Sequence, residues 1–526
     1  MTNKILLKFA KKGINLSPDA YEKIMNSDNP LDFASSLIVK LKSNNFKAKD
    51  LISVSGKTID NLSGNKNKEF DNTTETVPDT AKTEIDIKDN IPKTAETEIK
   101  MDDNSKKVVD TKIEFKRNLE KSDVKYDFKI LQDSSKKSYT SGEIGDLIAY
   151  FQSRYNKLSE ILKKRPELKT TTKVADIEDG QTTLNLILMV KEIRSTKKGH
   201  RFVEFEDDTG SISILFSNNN EELFSEAEKL VKDEVVGVIA TKDNDFVIAN
   251  QLIYPGVTRI SEKEMDFGIV FLSDIHIGSL TFLEDSFQKF IDWINCEYGN
   301  EEQRRVAEDI KYLVIAGDIV DGIGVYPNQD KELSIKSIYE QYKEAARYLG
   351  NIRSDIKIII SPGNHDGSRL AEPQPAVPEE YAKDLYKLDN VEFISNPGVV
   401  SLDGHIVLMY HGESFTEMQM AIKGMSYEKN ELMMEELLRK RHLAPIYGER
   451  TPLASELEDY LVIEQIPDIF HTGHIHINSY KKFNGIHMIN SGTFQTQTDY
   501  QKIKNIEPTP AQVPIIHKGK YKLFKF

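Results

Sequence analysis

The chain has 526 residues, a net charge of −14, 39% hydrophobic and 29% charged residues, and a single cysteine, Cys296. That length exceeds one hydrophobic core, and about three to four domains are expected. No disulfide can form within the chain, and a reducing cytoplasm fits. No stretch approaches the roughly 18 apolar residues of a membrane span, and lysines interrupt the apolar run of Met1–Ser17, so neither a membrane partner nor a secretory signal is expected. The acidic balance runs against a protein that grips DNA unaided, since such a protein carries a basic patch. Either the substrate is small, or a local surface or a partner supplies the positive charge.

Residues 1–52 show helical spacing at Ile5, Leu6, Phe9, Ile14, Tyr21, Ile24, Phe33, Leu37, Ile38 and Leu41, with a helix start at Ser17-Pro18. This predicts a small helical N-terminal module. Residues 53–137 turn polar and carry an imperfect repeat, Pro78–Ile85 against Pro92–Ile99, which predicts a disordered linker. A helix is expected within 138–166, with Ser141 as its cap. Over 167–258 the period shifts towards two, giving five strands with a helical stretch near 220–231 between the third and fourth. That order fits a β-barrel of the OB-fold type, which often binds single strands. Phe202, Phe205 and Phe216 are either stacking residues or barrel core.

Over 265–505, runs of β-branched and apolar residues alternate with helical patterns at 284–297, 334–349 and 378–387. This predicts a layered α/β domain with its site at the carboxyl ends of the strands. Five short segments follow those runs: Asp274-Ile-His276, Gly317-Asp-Ile-Val-Asp321, Gly363-Asn-His-Asp366, His411-Gly412 and Gly473-His-Ile-His476. Any one of these residues alone is more often structural; five segments of ligand-type residues at strand ends point to metal. Two cations about 3.5–4 Å apart make hydroxide at neutral pH and stabilise both the attacking and leaving oxygens of a phosphoester. Mixed Asp, His and Asn ligands without a thiolate suit two divalent ions, with Mn²⁺ expected for activity and Fe or Zn²⁺ possible, rather than a closed structural zinc site.

This arrangement resembles the calcineurin-like metallophosphoesterases over roughly residues 266–495. The resemblance implies a sandwich of two sheets flanked by helices around a dinuclear centre. Carried over by position, Asp274, His276 and His476 would hold one metal; Asn364, His411 and His474 would hold the other, with Asp318 bridging. His365 would protonate the leaving oxygen, and Asp321 would orient His365. No serine or cysteine nucleophile is then required.

Such ligands set a reaction and not a substrate. The barrel, the string Gly367–Pro375 with its Ala-Glu-Pro-Gln-Pro, and Tyr447–Ala454 narrow it. Together, over about 140–505, they are similar to the small subunits of archaeal family D DNA polymerases. That resemblance implies a metal-dependent 3′→5′ exonuclease that removes mismatched nucleotides from a primer end or single strand of DNA. It also implies a large catalytic polymerase subunit as partner, carrying much of the DNA grip. Eukaryotic relatives lack the metal ligands, whereas this chain has no gap in the set. Arg369 and Arg450 are candidate contacts to phosphate or partner, or surface ion pairs. Two other readings share these residues: a phosphatase or phosphodiesterase for small esters, and a scaffold with little activity. Residues 506–526 are read as a C-terminal tail whose basic, aromatic end, Lys518–Phe526, is either a docking strand or a frayed end.

Overall fold

The computed structural model describes residues 125–137, 140–243 and 246–526, together with short pieces at 14–16, 23–24, 27, 33–36, 38 and 52–54. It divides into two units, Met1–Val108 and Val109–Phe526. In the first, β1 (Ile14–Leu16) pairs in parallel with β2 (Ile52–Val54). Ile14, one of the positions read as helical, is therefore in a strand. The helix start at Ser17 and the polar repeat lie outside the described residues.

The second unit begins with β3 (Phe128–Asp133) and a helix, Ile144–Leu162. Glu143, not Ser141, caps that helix; the Ser141 amide and hydroxyl donate to Asp146 at 2.6 and 2.7 Å. There follow β4 (Thr183–Ser195), β5 (Arg201–Glu206), β6 (Ser211–Phe216), helix Glu221–Ala227, β7 (Val235–Asp243) and β8 (Phe246–Ile253). These strands form a closed barrel in the order β4-β5-β6-β8-β7. Phe205 and Phe216 are fully buried with ring centroids 6.2 Å apart, so they are core; Phe202 is half-buried.

The rest is a two-sheet sandwich. Its strands are β9 (Gly268–Leu272), β10 (Ile310–Ala316), β11 (Lys357–Ser361), β12 (Val391–Phe393), β13 (Gly398–Leu402), β14 (His405–Met409), β15 (Ile469–Thr472), β16 (Ser479–Phe483), β17 (Ile486–Asn490), β18 (Gln512–His517) and β19 (Lys520–Lys525). One sheet runs β12-β11-β10-β9-β18-β19 and the other β16-β17-β15-β14-β13-β3. Strands β9 to β12 are parallel, and β9 to β11 are buried on both faces, which is why those three read as continuous apolar runs. Within β9 the alternation is still visible. Ile269 and Phe271 point between the sheets, with Val314, Val407 and Met409, while Val270 and Leu272 pack outwards with helices Glu284–Ile294 and Ile338–Leu349.

Two boundaries differ from the sequence reading. The end of the supposed linker is β3, an edge strand on β13 (Leu402↔Phe128, Gly398↔Asp133). Residues 506–526 contain a hairpin that extends the first sheet, with Ile515 opposite Val270 and Phe526 packed 5.4 Å from Trp293. Val513 and Ile515 belong to the core, so this segment is not a loose tail. The barrel is thus inserted between β3 and the remainder of the sandwich. Helix Ile144–Leu162 joins the parts: buried Arg154 donates to Asp459 at 2.8 Å, to Asp233 O at 3.0 Å and to Pro445 O at 2.5 Å. No helix among the described residues is long and apolar enough to cross a membrane.

Candidate metal centre

All five motif segments leave their strands on the same side of the sandwich. Asp274 and His276 follow β9, Asp318 and Asp321 follow β10, Asn364 and His365 follow β11, His411 follows β14, and His474 and His476 follow β15. The backbone there is bent hard. Asp274 (φ 52°), His276 (55°), Asp318 (53°), His474 (72°) and His476 (64°) all lie in the left-handed region. That conformation is strained for non-glycine residues, and its concentration in five ligand-type residues marks a site over-determined by its surroundings. Gly363 shows the crowding from the other side. A Cβ there would stand 2.3 Å from Asp318 Oδ1 and 2.7 Å from His411 Cε1.

The seven ligand-type residues of the sequence reading converge. His276 Nε2 is 3.1 Å from His476 Nε2, and Asp274 Oδ1 is 3.3 Å from His476 Nε2. On the other side, Asn364 Oδ1 lies 3.0 Å from His411 Nε2 and 3.1 Å from His474 Nδ1. Asp318 stands between, its Oδ2 3.2 Å from His411 Nε2 and 3.9 Å from His276 Nε2. Asp274–His276–His476 and Asp274–Asp318–His411 are both grouped closely enough to hold an ion.

The residues fit a cationic occupant. His411 Nδ1–H donates to Ala316 O at 2.8 Å, which leaves Nε2 as a lone pair facing two oxygen acceptors. Asp274 Oδ1 is fully buried without a hydrogen-bond partner. Such convergence of lone pairs needs a proton or a metal to relieve it. The titration behaviour says the same. Burial pushes His276 and His411 down, but Asp321 and Asp318 carry His276 up to about 9, and Asp318 and Asp274 carry His411 up to about 10. Despite burial, the neighbouring imidazoles hold Asp274 low and Asp318 well below the usual carboxylate range. Burial and His411 press His474 down to about 3.

The role expected of Asp321 needs correction. Its carboxylate does not face His365; Oδ1 is 3.1 Å from His276 Nδ1, and Gln329 Nε2 donates to Oδ2 at 3.0 Å. The Asp321 backbone carbonyl accepts His365 Nδ1–H at 2.7 Å instead. Asp321 therefore orients His276 with its side chain and His365 with its main chain. His365 lies with its ring 4.7 Å from that of His276, and burial holds it below the ordinary histidine value.

Several supporting residues escaped the sequence reading. Asp366 was visible only as the end of Gly-Asn-His-Asp. Its Oδ2 accepts the amides of Asp318 at 2.7 Å and Gly363 at 2.9 Å, tying the loops after β10 and β11 together. Burial and the nearby Asp318 push it up to about 6. Gln501 Nε2 donates to His476 Nδ1 at 2.9 Å, and nothing in its local sequence signals this. Arg369 is not aimed at a phosphate: Nη1 pairs with Glu456 at 2.6 Å, and Nε donates to Ala371 O and Pro373 O at 2.9 Å. It holds the Ala371–Pro375 string in shape. Arg450 is exposed.

A two-sheet sandwich with this cluster of Asp, His and Asn residues on its strand-end loops has the layout that the resemblance to metallophosphoesterases implies. Residues 269–482 match the family model for the B subunits of DNA polymerases alpha and epsilon. The DNA polymerase II small subunit of Methanothermobacter thermautotrophicus is 52% identical over all of both chains. Those of Archaeoglobus fulgidus (44% identical; 74% of this chain, 79% of that protein) and Methanocaldococcus jannaschii (41%; 76% and 68%) are also similar. The chain belongs to the DNA polymerase II small-subunit family.

Proposed function

We propose that the chain is the nuclease-bearing small subunit of a replicative archaeal DNA polymerase, working with a large catalytic subunit. Its reaction is metal-dependent 3′→5′ hydrolysis of DNA. One observation carries the reading: every ligand position is filled and convergent, with Asp318 between two histidine groups and His365 fixed beside them. Asp274, His276 and His476 would hold one divalent ion and Asn364, His411 and His474 the other, with Asp318 shared. When bound, the ions supply Lewis acidity and a nucleophile at neutral pH; Mn²⁺ suits this donor set, with Fe or Zn²⁺ as alternatives.

The chain's own groups do the rest. A water oxygen bonds to phosphorus, the bond from phosphorus to the 3′ oxygen of the preceding nucleotide breaks, and a nucleoside 5′-monophosphate leaves. His365, steered by the Asp321 carbonyl, delivers the proton to that 3′ oxygen from the nitrogen left free for the site. Asp321 keeps His276 in one orientation through its carboxylate. The barrel is read as an OB-type platform for single-stranded DNA, and the complex as cytoplasmic.

The test is excision of a 3′-mismatched primer against hydrolysis of bis(p-nitrophenyl) phosphate, both with Mn²⁺. Preference for the small ester would sink the exonuclease reading. Asp318→Ala and His365→Ala should abolish excision while the complex with the large subunit still assembles. If wild type and variants degrade equally little, the subunit is a scaffold.

A further inference from the structure

Three exposed apolar side chains stand on the two loops that follow His276 and Asp321. Ile323 and Tyr326, on the loop after Asp321, are 47% and 36% exposed; Leu280, after His276, is 62% exposed. Glu332 holds the two loops side by side. Its carbonyl accepts the Leu280 amide at 2.8 Å, and its carboxylate accepts the Tyr326 hydroxyl at 2.9 Å. The Tyr326 ring centroid lies 6.3 Å from that of His365, with 62° between the planes.

This loop is anchored to the site. Gln329 donates to Asp321 O at 2.8 Å and accepts the Val325 amide at 2.9 Å, so the turn through Gly322 and Gly324 (φ 72° and 75°) is pinned at both ends. A single exposed hydrophobe needs no explanation. An aromatic ring fixed through its hydroxyl on an anchored loop, beside the ring of His365, presents a fixed surface to whatever His365 serves.

We infer that Tyr326 is a stacking platform for the base of the nucleoside on the leaving side of the scissile phosphate. The inference rests on the exonuclease reading. His365 serves the departing 3′ oxygen, so the sugar bearing that oxygen must lie against it, and the attached base reaches the next ring outwards. Stacking tolerates every base, as an exonuclease requires. A base still paired in a duplex is already stacked on its neighbours and does not reach the ring. Tyr326 therefore favours an end frayed back to at least the second nucleotide over a paired one.

The test uses the full chain, alone and with its large subunit, with Mn²⁺. Two single-stranded oligonucleotides differ only in the residue before the 3′-terminal nucleotide, which carries a base in one and is abasic in the other. Wild type should cut the natural strand roughly ten-fold faster, the size one stacked base supplies. Tyr326→Ala should bring that ratio to near one, and Tyr326→Trp should restore it. A wild type indifferent to the abasic site, or an alanine variant that keeps the full ratio, overturns the inference. A role confined to positioning His365 slows both strands and leaves the ratio unchanged. Wild-type cleavage of bis(p-nitrophenyl) phosphate without cleavage of either oligonucleotide removes the exonuclease reading, and this inference falls with it.

Discussion

Replacing Asp366 with alanine removes the carboxylate to which two ligand-bearing loops are tied. The amides of Asp318 and Gly363 each lose a bond, at 2.7 and 2.9 Å, in a region without water access. The Tyr342 hydroxyl loses its acceptor at 2.9 Å but still accepts the Gly367 amide at 2.8 Å. A buried donor left unmet costs about 1–3 kcal/mol, so the two amides together cost about 4 kcal/mol. For a domain of this size that lowers the melting temperature by roughly 10 °C. Trp293, the only tryptophan and fully buried in the sandwich, reports the transition by fluorescence. Asp366→Asn keeps one oxygen for the two amides and should cost about 1 kcal/mol. Because Asn364 and His365 sit on the loop that is freed, the alanine variant should also lose phosphoester hydrolysis at the temperature where it remains folded. A melting temperature within a degree of wild type, with activity intact, would refute the view that Asp366 is the tie between the loops.

Gly363→Ala should destroy metal binding, because its Cβ would meet Asp318 Oδ1 at 2.3 Å; calorimetric titration with Mn²⁺ checks this, and normal uptake would contradict it. Asp321→Asn weakens the hold on His276 Nδ1, and metal affinity should fall about 10- to 100-fold, the usual effect of losing such a partner. The same variant should leave His365 in place, since its partner is the Asp321 carbonyl; a pH–rate profile with saturating metal would then keep its shape. Stability should fall with acid even in chelator. His442 is held down at about 4 by burial and Arg154, and His471 at about 3 by burial. The unfolded chain binds these protons near pH 6.5, so their contribution is complete above about 6.5 and is lost as pH falls towards the folded values. Urea midpoints at pH 7 and 4.5 should differ accordingly; equal midpoints would argue that neither histidine is buried neutral.

The convergent cluster of Asp, His and Asn residues was legible because the chemistry a metal would need restricts residue types and strand ends restrict places. Asp274, Asp318 and His411 could be picked out by those two constraints alone. The direction of a side chain is not so encoded. Asp321 stands four residues before Val325 and close to His365 in space, yet its carboxylate turns to His276 because the loop's own carbonyl already serves His365. Arg369 has the charge for a phosphate but the reach for its own loop, and the nearer carbonyls take it. The strands at 128–133 and 512–517 were missed, and that at 520–525 was left open between a docking strand and a frayed end, for a different reason. Each is short, mixed with lysines, and has no partner nearby in the chain except within the final hairpin, so periodicity gave them no support.

The pairing of β3 with β13 also sets an order of assembly. Asp133 meets Gly398 only after the helix, the whole barrel and the strands β9 to β12 have been laid down. Closing so long a loop is slow, because its entropy is lost before any contact offsets it. The barrel, whose strands pair within about seventy residues of chain, is free to form first and shortens the effective distance that β3 must search. In kinetic terms a barrel formed first would act as a folding splint for the domain whose segments flank it in the chain. Its removal would then slow the appearance of a complete metal centre even if every ligand residue were left in place.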